Sequence, residues 1–484
     1  MKKLLLFVAV LWANFGYAQR NASFTTNDYI RALKHATDVM VNDATSPVAA
    51  SRYYAYISLA ANETVALFDK QQPQFGGVVK GFNNIKIDET LLKKSDPQLA
   101  VIFVLYKSAT RLLPSGYLLE KNIDSLKLVA KKRKLSPEKI NATVELVDQV
   151  VEQILKYASA DGFTRLSGLR RFTPSSGDEY WQPTAPGFMS TIEPYWSTLR
   201  TFILDSCSQF ACTPPNKYNA DTNSSFYKEM KEVYDIGKNA SREQIDKAMF
   251  WDCNPFALKQ IGHLEFGIKK ISPGGHWLGI TGIACKKEKL SLSKTAYAHA
   301  LVSIGLADAF IACWNDKYKY NRVRPVTAIN KLIDRNWSPL LQTPPFPEYT
   351  SGHSVISTTA SAILTHLFGD QFSFTDDTEL EFGLPRRKFN SFAEASKEAA
   401  LSRLYGGIHF RDAIENGVKE GQQIGQLLVT RCPDNHSINE NNKTEEPEPK
   451  IYGWNSTPNP VNIETSTTTT ATTTVDTAQQ QNGE

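Results

Sequence analysis

Three short segments that combine basic residues with histidine or serine lie between positions 317 and 409 of this 484-residue chain. The first holds Lys317 and Arg324, the second is Ser351-Gly352-His353, and the third holds Arg403 and His409. Cations and hydroxyl groups can neutralise a tetrahedral oxyanion, above all when it expands to five-coordinate geometry. One histidine can bond to the central atom while the other gives and takes protons. These residue types therefore indicate chemistry on an oxyanion.

The spacing of Lys317 and Arg324 predicts that the two side chains act together. They are seven residues apart, which is two helical turns, so we expect both to project from one helical face and converge on one anion. Pro325 disfavours helix at the residue before it, so the helix is expected to end at Arg324. The alternative is a solvated basic face, since Lys319 and Arg322 belong to the same segment.

Ser351, Gly352 and His353 precede a run of apolar residues at helical spacing, so Thr350 or Ser351 is expected to cap a helix whose first turn contains Gly352 and His353. The free N–H groups of a helix N-terminus attract an oxyanion, and glycine lets it approach the backbone. His353 can exchange protons near neutral pH. Alone, the tripeptide is equally consistent with an ordinary helix cap.

Arg403 and His409 flank a pair of glycines, Gly406 and Gly407, that is typical of a helix end. Six residues apart on one helix, the two side chains would face away from each other, so we expect the glycine pair to turn both toward one site. His409 is expected to open the next helix. A stripe of glycines on that helix predicts close helix packing: Gly417, Gly421 and Gly425.

The rest of the chain reads as helices that position these segments, and no alternating strand pattern is evident, so the predicted fold class is all-α. We expect an N-terminal helical region over 19–225, with a long Pro, Gly and aromatic-rich loop from 162, and a catalytic helical domain over 226–437. The clearest helical patterns of the first region cover Arg52–Leu67, Gln98–Leu113 and Val144–Ala158. Their apolar stripes indicate core packing.

The two ends of the chain differ in composition from the rest, and the N-terminal end suggests export. Residues 1–18 read as a signal peptide, and residues 438–484 form a Thr-rich tail whose composition predicts disorder. The formal net charge of +4 falls to +2 without the two lysines of the signal peptide, which gives no reason to expect nucleic acid. The longest later apolar run, Leu301–Trp314, contains Asp308, so no membrane span is expected. We expect a periplasmic or secreted protein, in which Cys207 and Cys212 are the best candidate disulfide pair.

Lys-x6-Arg-Pro, then Ser-Gly-His, then Ser-Arg-x5-His resembles the type 2 phosphatidic acid phosphatase superfamily over residues 310–430. This superfamily joins acid phosphatases to vanadium-dependent haloperoxidases. The Ile408-His409-Phe410-Arg411 context and the long helical N-terminal region look more like the haloperoxidase branch. The resemblance implies a helix-bundle core with an additional N-terminal helical region.

The family's functional residues are carried over by position. His409 matches the single protein ligand of vanadium in haloperoxidases and the nucleophile in phosphatases, and His353 matches the acid–base histidine. Lys317 would also polarise bound peroxide. Residues that match the oxyanion-binding groups are Lys317, Arg324, Ser351, the Gly352 backbone, Arg403 and His409. Candidates for the halide side are His276, Trp277 and Tyr349.

The chain departs from the family at two positions. Thr350 replaces the usual proline before Ser-Gly-His, and Ala413 stands where an aspartate often follows the second histidine. Asp412 and Glu415 are nearby, and a backbone carbonyl is the alternative partner of the His409 ring.

Three functions remain open from the sequence. The resemblance implies a vanadium haloperoxidase that oxidises iodide or bromide with hydrogen peroxide to hypohalous acid at a histidine-bound vanadate. The alternative is an exported acid phosphatase that hydrolyses phosphate esters through a phosphohistidine. A helical binding protein without activity is the third, and the presence of both histidines argues against it.

Overall fold

The computed structural model describes residues 23–261 and 263–432. The expected signal peptide and the Thr-rich tail lie outside these ranges. The described part contains fifteen α-helices: α1 (Thr26–Asn42), α2 (Pro47–Phe68), α3 (Glu89–Lys94), α4 (Pro97–Leu112), α5 (Glu120–Lys132), α6 (Pro137–Ser159), α7 (Phe163–Leu166), α8 (Ser225–Asn239), α9 (Arg242–Phe250), α10 (Pro273–Lys287), α11 (Leu292–Tyr320), α12 (Pro325–Leu332), α13 (Gly352–Phe368), α14 (Phe392–Tyr405) and α15 (Arg411–Arg431).

Strands are confined to two small antiparallel hairpins in the described residues. Strand β1 (Leu258–Ile261) pairs with β2 (Leu264–Gly267), and β3 (Phe374–Asp376) pairs with β4 (Arg387–Phe389). Short 3₁₀ turns cover Gly116–Leu119, Trp196–Thr198 and Leu380–Phe382. The all-α prediction is confirmed.

Helix α11 lies at the centre of the fold. It is apolar on nearly every side and packs against α2, α10, α13 and α15. Among the described helices it is the one long and apolar enough to cross a membrane, and its apolar window is fully buried inside the protein. A helix that is hydrophobic all round belongs in the core of a large protein. This burial holds the C-terminal end of α11, which carries Lys317, in a fixed position.

Asp308, the one acid in the apolar run Leu301–Trp314, lies in the middle of α11. Its buried carboxylate accepts hydrogen bonds from the backbone N–H groups of Phe202 and Ile203, each at 2.6 Å, and of Leu204 at 2.9 Å. Burial raises the pKa of Asp308 to about 6, although these bonds oppose the rise. The carboxylate therefore anchors the long loop before α8 to the central helix.

The glycine stripe of α15 packs against α13, as predicted. A Cβ atom on Gly421 would lie 2.3 Å from the Val355 carbonyl oxygen, and one on Gly417 would lie 3.0 Å from the Ser351 carbonyl oxygen. Glycine is thus required for the backbones to approach this closely. The contact sets the N-terminus of α13 beside the start of α15.

The helices expected in the N-terminal region are present as α2, α4 and α6, and the stripe of α6 is buried as predicted, with Val147, Val150 and Ile154 fully inside. Helix α2 packs directly on α11. Helices from both sides of the expected boundary at 225 therefore share one core, while the division itself stays a prediction.

Candidate active site

Lys317 and Arg324 come together through a chain reversal, and the predicted common helical face is wrong. Helix α11 ends at Tyr320, where Asn321 takes a left-handed conformation with φ of 46°. The chain then runs extended to Arg324, which caps α12, and Pro325 begins that helix. Proline suits the first helical position because its missing N–H is not needed there. The proline therefore starts a helix after the basic residue.

The ammonium group of Lys317 is fully buried and holds the loop that leads into α13. Its Nζ donates to the carbonyl oxygens of Pro347 and Glu348, each at 3.1 Å, and of Thr350 at 2.5 Å. Burial lowers the pKa of Lys317 to about 8, and the charge of Arg324 acts in the same direction. Lys317 thus fixes the backbone immediately before Ser351 while it keeps a positive charge below about pH 8.

The guanidinium of Arg324 lies against the His409 ring. Its Nε donates to the Phe346 carbonyl and its Nη1 to the Ile408 carbonyl, both at 2.9 Å, and Nη1 lies 3.3 Å from His409 Nε2. The remaining Nη2 is buried and makes no hydrogen bond in the described structure. Burial lowers the pKa of Arg324 to about 10. One guanidinium nitrogen is therefore left to bind a ligand beside His409.

Ser351 caps α13, and Gly352 is its first residue, as predicted. The Ser351 Oγ accepts a hydrogen bond from the Ser354 N–H at 3.4 Å. A Cβ on Gly352 would meet only Trp314, at 4.0 Å, so space remains beside this backbone. The Nε2 of His353 and the Oγ of Ser354 are buried without a hydrogen-bond partner in the described structure. The N-terminal turn of α13 therefore presents buried polar atoms that no described residue pairs with.

His409 lies in the short loop between α14 and α15, and helix α15 begins two residues after it, so the expected helix start at His409 is wrong. Its Nδ1 is 2.8 Å from Glu348 Oε1, which also accepts the Phe410 N–H at 3.0 Å. A carboxylate accepts, so Nδ1 carries the proton and Nε2 keeps its lone pair. Nε2 is the atom that a metal ligand or nucleophile needs to present.

Glu348 is the orienting group that the sequence left undecided, and Asp412 is excluded from this role. Glu348 Oε2 accepts a hydrogen bond from Arg322 at 3.3 Å. Arg322 also forms a short ion pair with Asp412 and contacts Glu229 at 3.3 Å. Asp412 is therefore committed to Arg322 and does not serve the His409 ring. The sequence offered a signal for Glu348, since this acid lies three residues before Ser351.

Arg403 is buried in the last turn of α14, where its Nε donates to Ser402 Oγ at 3.0 Å and its Nη2 to the Ala248 carbonyl at 3.2 Å. Its nearest carboxylate is Asp252, at 4.0 Å. Gly407 has a φ of 76° and provides the turn that follows α14, as predicted. The turn allows the side chains of Arg403 and His409 to point toward the same part of the protein.

The charges of these groups act on both histidines. Burial lowers the pKa of His409 well below its usual value, and the charges of Arg324, Lys317 and Arg403 lower it further. Burial also lowers the pKa of His353 well below its usual value, with Arg403 and His409 acting in the same direction. Both imidazoles are therefore neutral at neutral pH, inside a region of excess positive charge.

A tetrahedral oxyanion such as vanadate fits these residues. The orphaned atoms Arg324 Nη2, His353 Nε2 and Ser354 Oγ are buried polar groups that cost free energy until they are paired. An anion beside the His409 Nε2 lone pair would give them partners and would neutralise the buried cations. The donor set is one imidazole nitrogen surrounded by cationic and neutral N–H and O–H groups, which suits an oxyanion better than a bare metal cation.

The three candidates for the halide side are held by other contacts. His276 is fully buried, with Nε2 at 2.7 Å from Asp376 and Nδ1 at 3.1 Å from Glu379, so neither ring nitrogen is free for a halide. Trp277 donates from Nε1 to Ser357 Oγ at 2.9 Å, and the Tyr349 hydroxyl donates to the Thr213 carbonyl at 2.6 Å. The role of Trp277 and Tyr349 toward a halide stays a prediction.

The expected Cys207–Cys212 disulfide is not formed. All six cysteines carry free thiols, and the Cys207 and Cys212 thiols contact Asn315 and Glu420 respectively.

Known proteins resemble this chain in sequence and in fold. Residues 298–436 match the family model described as the VCPO second helical-bundle domain. The crystal structure of a bacterial vanadium-dependent iodoperoxidase is 41% identical to the chain, with a TM-score of 0.80, and the match covers 84% of this chain and 97% of the other.

Two structures of bacterial vanadium-dependent chloroperoxidase share the fold at lower identity. The holo form is 16% identical with a TM-score of 0.60, and the match covers 80% of this chain and 92% of the other. The apo form is 15% identical with a TM-score of 0.58, and the match covers 80% of this chain and 94% of the other. No match was found among curated proteins.

Proposed function

Because the chain belongs to the vanadium-dependent haloperoxidase family, we propose that it oxidises iodide with hydrogen peroxide at a vanadate held by His409. The reaction consumes iodide, peroxide and a proton and releases hypoiodous acid and water, with two electrons passing from iodide to the O–O bond. The choice of iodide is supported by the 41% identity to an iodoperoxidase over most of both chains. The single observation that carries the site is the unprotonated His409 Nε2 beside Arg324, with Glu348 on the opposite ring nitrogen.

His409 would be the one residue bonded to the vanadium atom, and the other groups would bind the vanadate oxygens. Arg324, Arg403 and Lys317 would neutralise its oxygens, and the helix N-terminus at Ser351 and Gly352 would donate hydrogen bonds. When bound, vanadate supplies a Lewis acid that makes peroxide electrophilic. The positive surroundings also favour entry of an anionic halide.

His353 is the proposed acid–base group. Its low pKa leaves the imidazole neutral at neutral pH, so it can accept the proton that hydrogen peroxide loses on binding. Arg403 and His409 keep that pKa low, which means that the proton is readily passed on to the leaving water. The same residue would therefore serve both proton transfers.

The place of action is proposed to be outside the cytoplasm, in the periplasm or the medium. The support is the sequence of residues 1–18, with two lysines followed by an apolar run and small residues. Small molecules are the proposed reactants throughout: halide and hydrogen peroxide.

The experiment is reconstitution of vanadate-free protein with orthovanadate, followed by measurement of iodide and bromide oxidation at fixed peroxide. We expect activity that requires vanadate and is higher with iodide. His409→Ala should abolish it, whereas His35→Ala, at a half-buried histidine bonded to Tyr106 and Asn122, should not. An aryl phosphate assay on the vanadate-free protein runs in parallel. Phosphate release without any vanadate-dependent halide oxidation would overturn the proposal.

A further inference from the structure

A second cluster of ligand-type side chains lies behind the wall of the active site. Cys253 follows α9, His276 is on α10, and Glu379 lies in the turn after β3. All three are buried, and their ligand atoms lie within 4.8 Å of one another. None of the three takes part in binding or activating an oxyanion, so the proposed haloperoxidase chemistry does not account for them.

The three ligand atoms form a triangle of defined size. The Cys253 Sγ is 3.4 Å from His276 Nδ1 and 3.8 Å from Glu379 Oε1, and Nδ1 is 3.1 Å from Oε1. Zinc bonds of about 2.3 Å to sulfur and about 2.0–2.1 Å to nitrogen or oxygen place the ligands of a tetrahedral ion roughly 3.3–3.6 Å apart. The mean edge of the observed triangle falls within that range.

The remaining nitrogen of His276 is oriented as it is in metal sites. Its Nε2 lies 2.7 Å from Asp376 Oδ2, and the other oxygen of Asp376 accepts both the N–H and the Oγ1–H of Thr378, at 3.0 and 2.7 Å. Asp376 is thus a fixed acceptor for Nε2–H, so Nδ1 is the nitrogen that could bind a metal once the proton it shares with Glu379 is displaced. Ligating histidines usually donate their second nitrogen to a carboxylate in this way.

Burial and charge also favour a cation at this point. Asp376 and Glu379 are two buried carboxylates, and no lysine or arginine forms a salt bridge with either of them in the part of the chain that the structure describes. Buried charges require a partner or a metal. Without a metal, the cationic partner of these two carboxylates is a protonated His276. A divalent ion would take the place of the Nδ1 proton and balance a Cys253 thiolate and the nearest carboxylate.

We propose that Cys253, His276 and Glu379 bind one zinc ion through Sγ, Nδ1 and Oε1, with Asp376 orienting the histidine. A water molecule completes the tetrahedron. On binding, the Cys253 thiol and the His276 Nδ1 each release a proton to solvent, and no change of oxidation state takes place. The site is separate from the vanadate pocket and does not depend on the proposed halide chemistry.

The zinc ion would fix the chain segment that lines the active site. Trp251 stacks on the His276 ring with centroids 4.6 Å apart and planes 17° from parallel. Asp252, the next residue, is the carboxylate nearest Arg403. Holding Cys253 therefore holds the partner of Arg403, which makes the zinc ion a structural support for one wall of the pocket.

The test is the metal content of full-length protein purified without a metal-affinity tag, dialysed against one equivalent of zinc sulfate and then against zinc-free buffer. Mass spectrometry of the elements should give about one zinc per chain. Cys253→Ser and the nearly isosteric Glu379→Gln should each lose most of it. Cys285→Ser should retain it, because Cys285 is an equally buried thiol on the same helix as His276 but outside the cluster.

Cobalt gives an independent measurement. Cobalt-loaded wild type should show a thiolate-to-metal charge-transfer band in the near ultraviolet that Glu379→Gln weakens and Cys253→Ser removes. If Cys253→Ser does not fold, the zinc content and the cobalt band of Glu379→Gln are sufficient to test the proposal. A zinc-free wild type, or equal zinc in Glu379→Gln, Cys253→Ser and wild type, would overturn the proposal and leave a protonated His276 between two carboxylates. The vanadium content is measured separately, so a failure of the zinc proposal would leave the proposed haloperoxidase activity unaffected.

Discussion

Replacing Glu348 with glutamine should weaken vanadate binding while the fold is kept. The side chain is fully buried, and its Oε1 accepts the His409 Nδ1–H at 2.8 Å and the Phe410 N–H at 3.0 Å. Glutamine has the same shape and can still accept one of these bonds, but without the negative charge. Arg322 keeps two other acids, Asp412 and Glu229, so the variant does not leave this arginine unpaired.

The size of the effect follows from the bonds that change. A hydrogen bond to a charged group contributes about 1.5–3 kcal/mol and a neutral one about 0.5–1.5 kcal/mol, so the loss at His409 alone is about 1–1.5 kcal/mol. The carboxylate also raises the basicity of Nε2, the proposed vanadium ligand. Loss of such an orienting carboxylate typically costs about 10–100-fold in affinity, or about 1.4–2.7 kcal/mol.

The assay is titration of vanadate-free protein with orthovanadate, with bound vanadium and iodide oxidation measured on the same samples. We expect the dissociation constant to rise by about 10–100-fold. At saturating vanadate much of the activity should return, because the residues that contact the anion are intact. Glu229→Gln is the matched control, since Glu229 contacts the same arginine at 3.3 Å and does not touch His409.

Two results would refute this reasoning. Vanadate affinity of Glu348→Gln within about threefold of wild type, a difference below about 0.7 kcal/mol, would mean that Glu348 does not orient His409. An equal loss in Glu229→Gln would mean that the effect comes from the charge balance around Arg322 and has nothing to do with the ring.

His353→Ala should retain vanadate but lower the rate of iodide oxidation by about 10²–10⁴-fold. Steady-state kinetics at saturating vanadate will measure this rate. An unchanged rate would exclude an acid–base role for His353. Vanadate affinity should fall as pH rises through about 8, where Lys317 loses its charge, and Lys317→Met should remove that step. Because the unfolded lysine keeps its proton up to about pH 10.5, the same ionisation should make the vanadate-free protein more stable over this interval, as denaturant titration can show. Gly421→Ala should destabilise the fold by about 1–3 kcal/mol, because its Cβ would meet the Val355 carbonyl at 2.3 Å, whereas Gly267→Ala, with nothing within 4 Å, should leave the melting temperature unchanged.

Local signals in the sequence were sufficient where neighbouring residues decide the conformation. The Ser351 cap, the helix end before Gly406-Gly407 and the glycine stripe of α15 depend on residues a few positions apart, and all three are present. The same holds for the buried stripe of α6.

Helical spacing failed where the chain changes direction. Lys317 and Arg324 were expected on one helical face, but the helix ends at Tyr320 because Asn321 adopts a left-handed conformation. Seven residues fix a relative direction only while the helix continues. The two cations still lie close together, because each donates a hydrogen bond to the same loop: Lys317 to the Glu348 carbonyl and Arg324 to the Phe346 carbonyl.

The sequence by itself determined the all-α class, the residue types that could hold an oxyanion, the start of α13 and the end of α14. Only the tertiary structure decided which acid serves His409, that His276 is engaged by Asp376 and Glu379, and that Arg324 Nη2 and His353 Nε2 are buried without a partner among the described residues. The reason is physical: a helix cap is a contact between near neighbours, whereas Glu348 reaches His409 across 61 positions of chain. Which carboxylate faces which ring depends on the packing of helices far apart in the sequence.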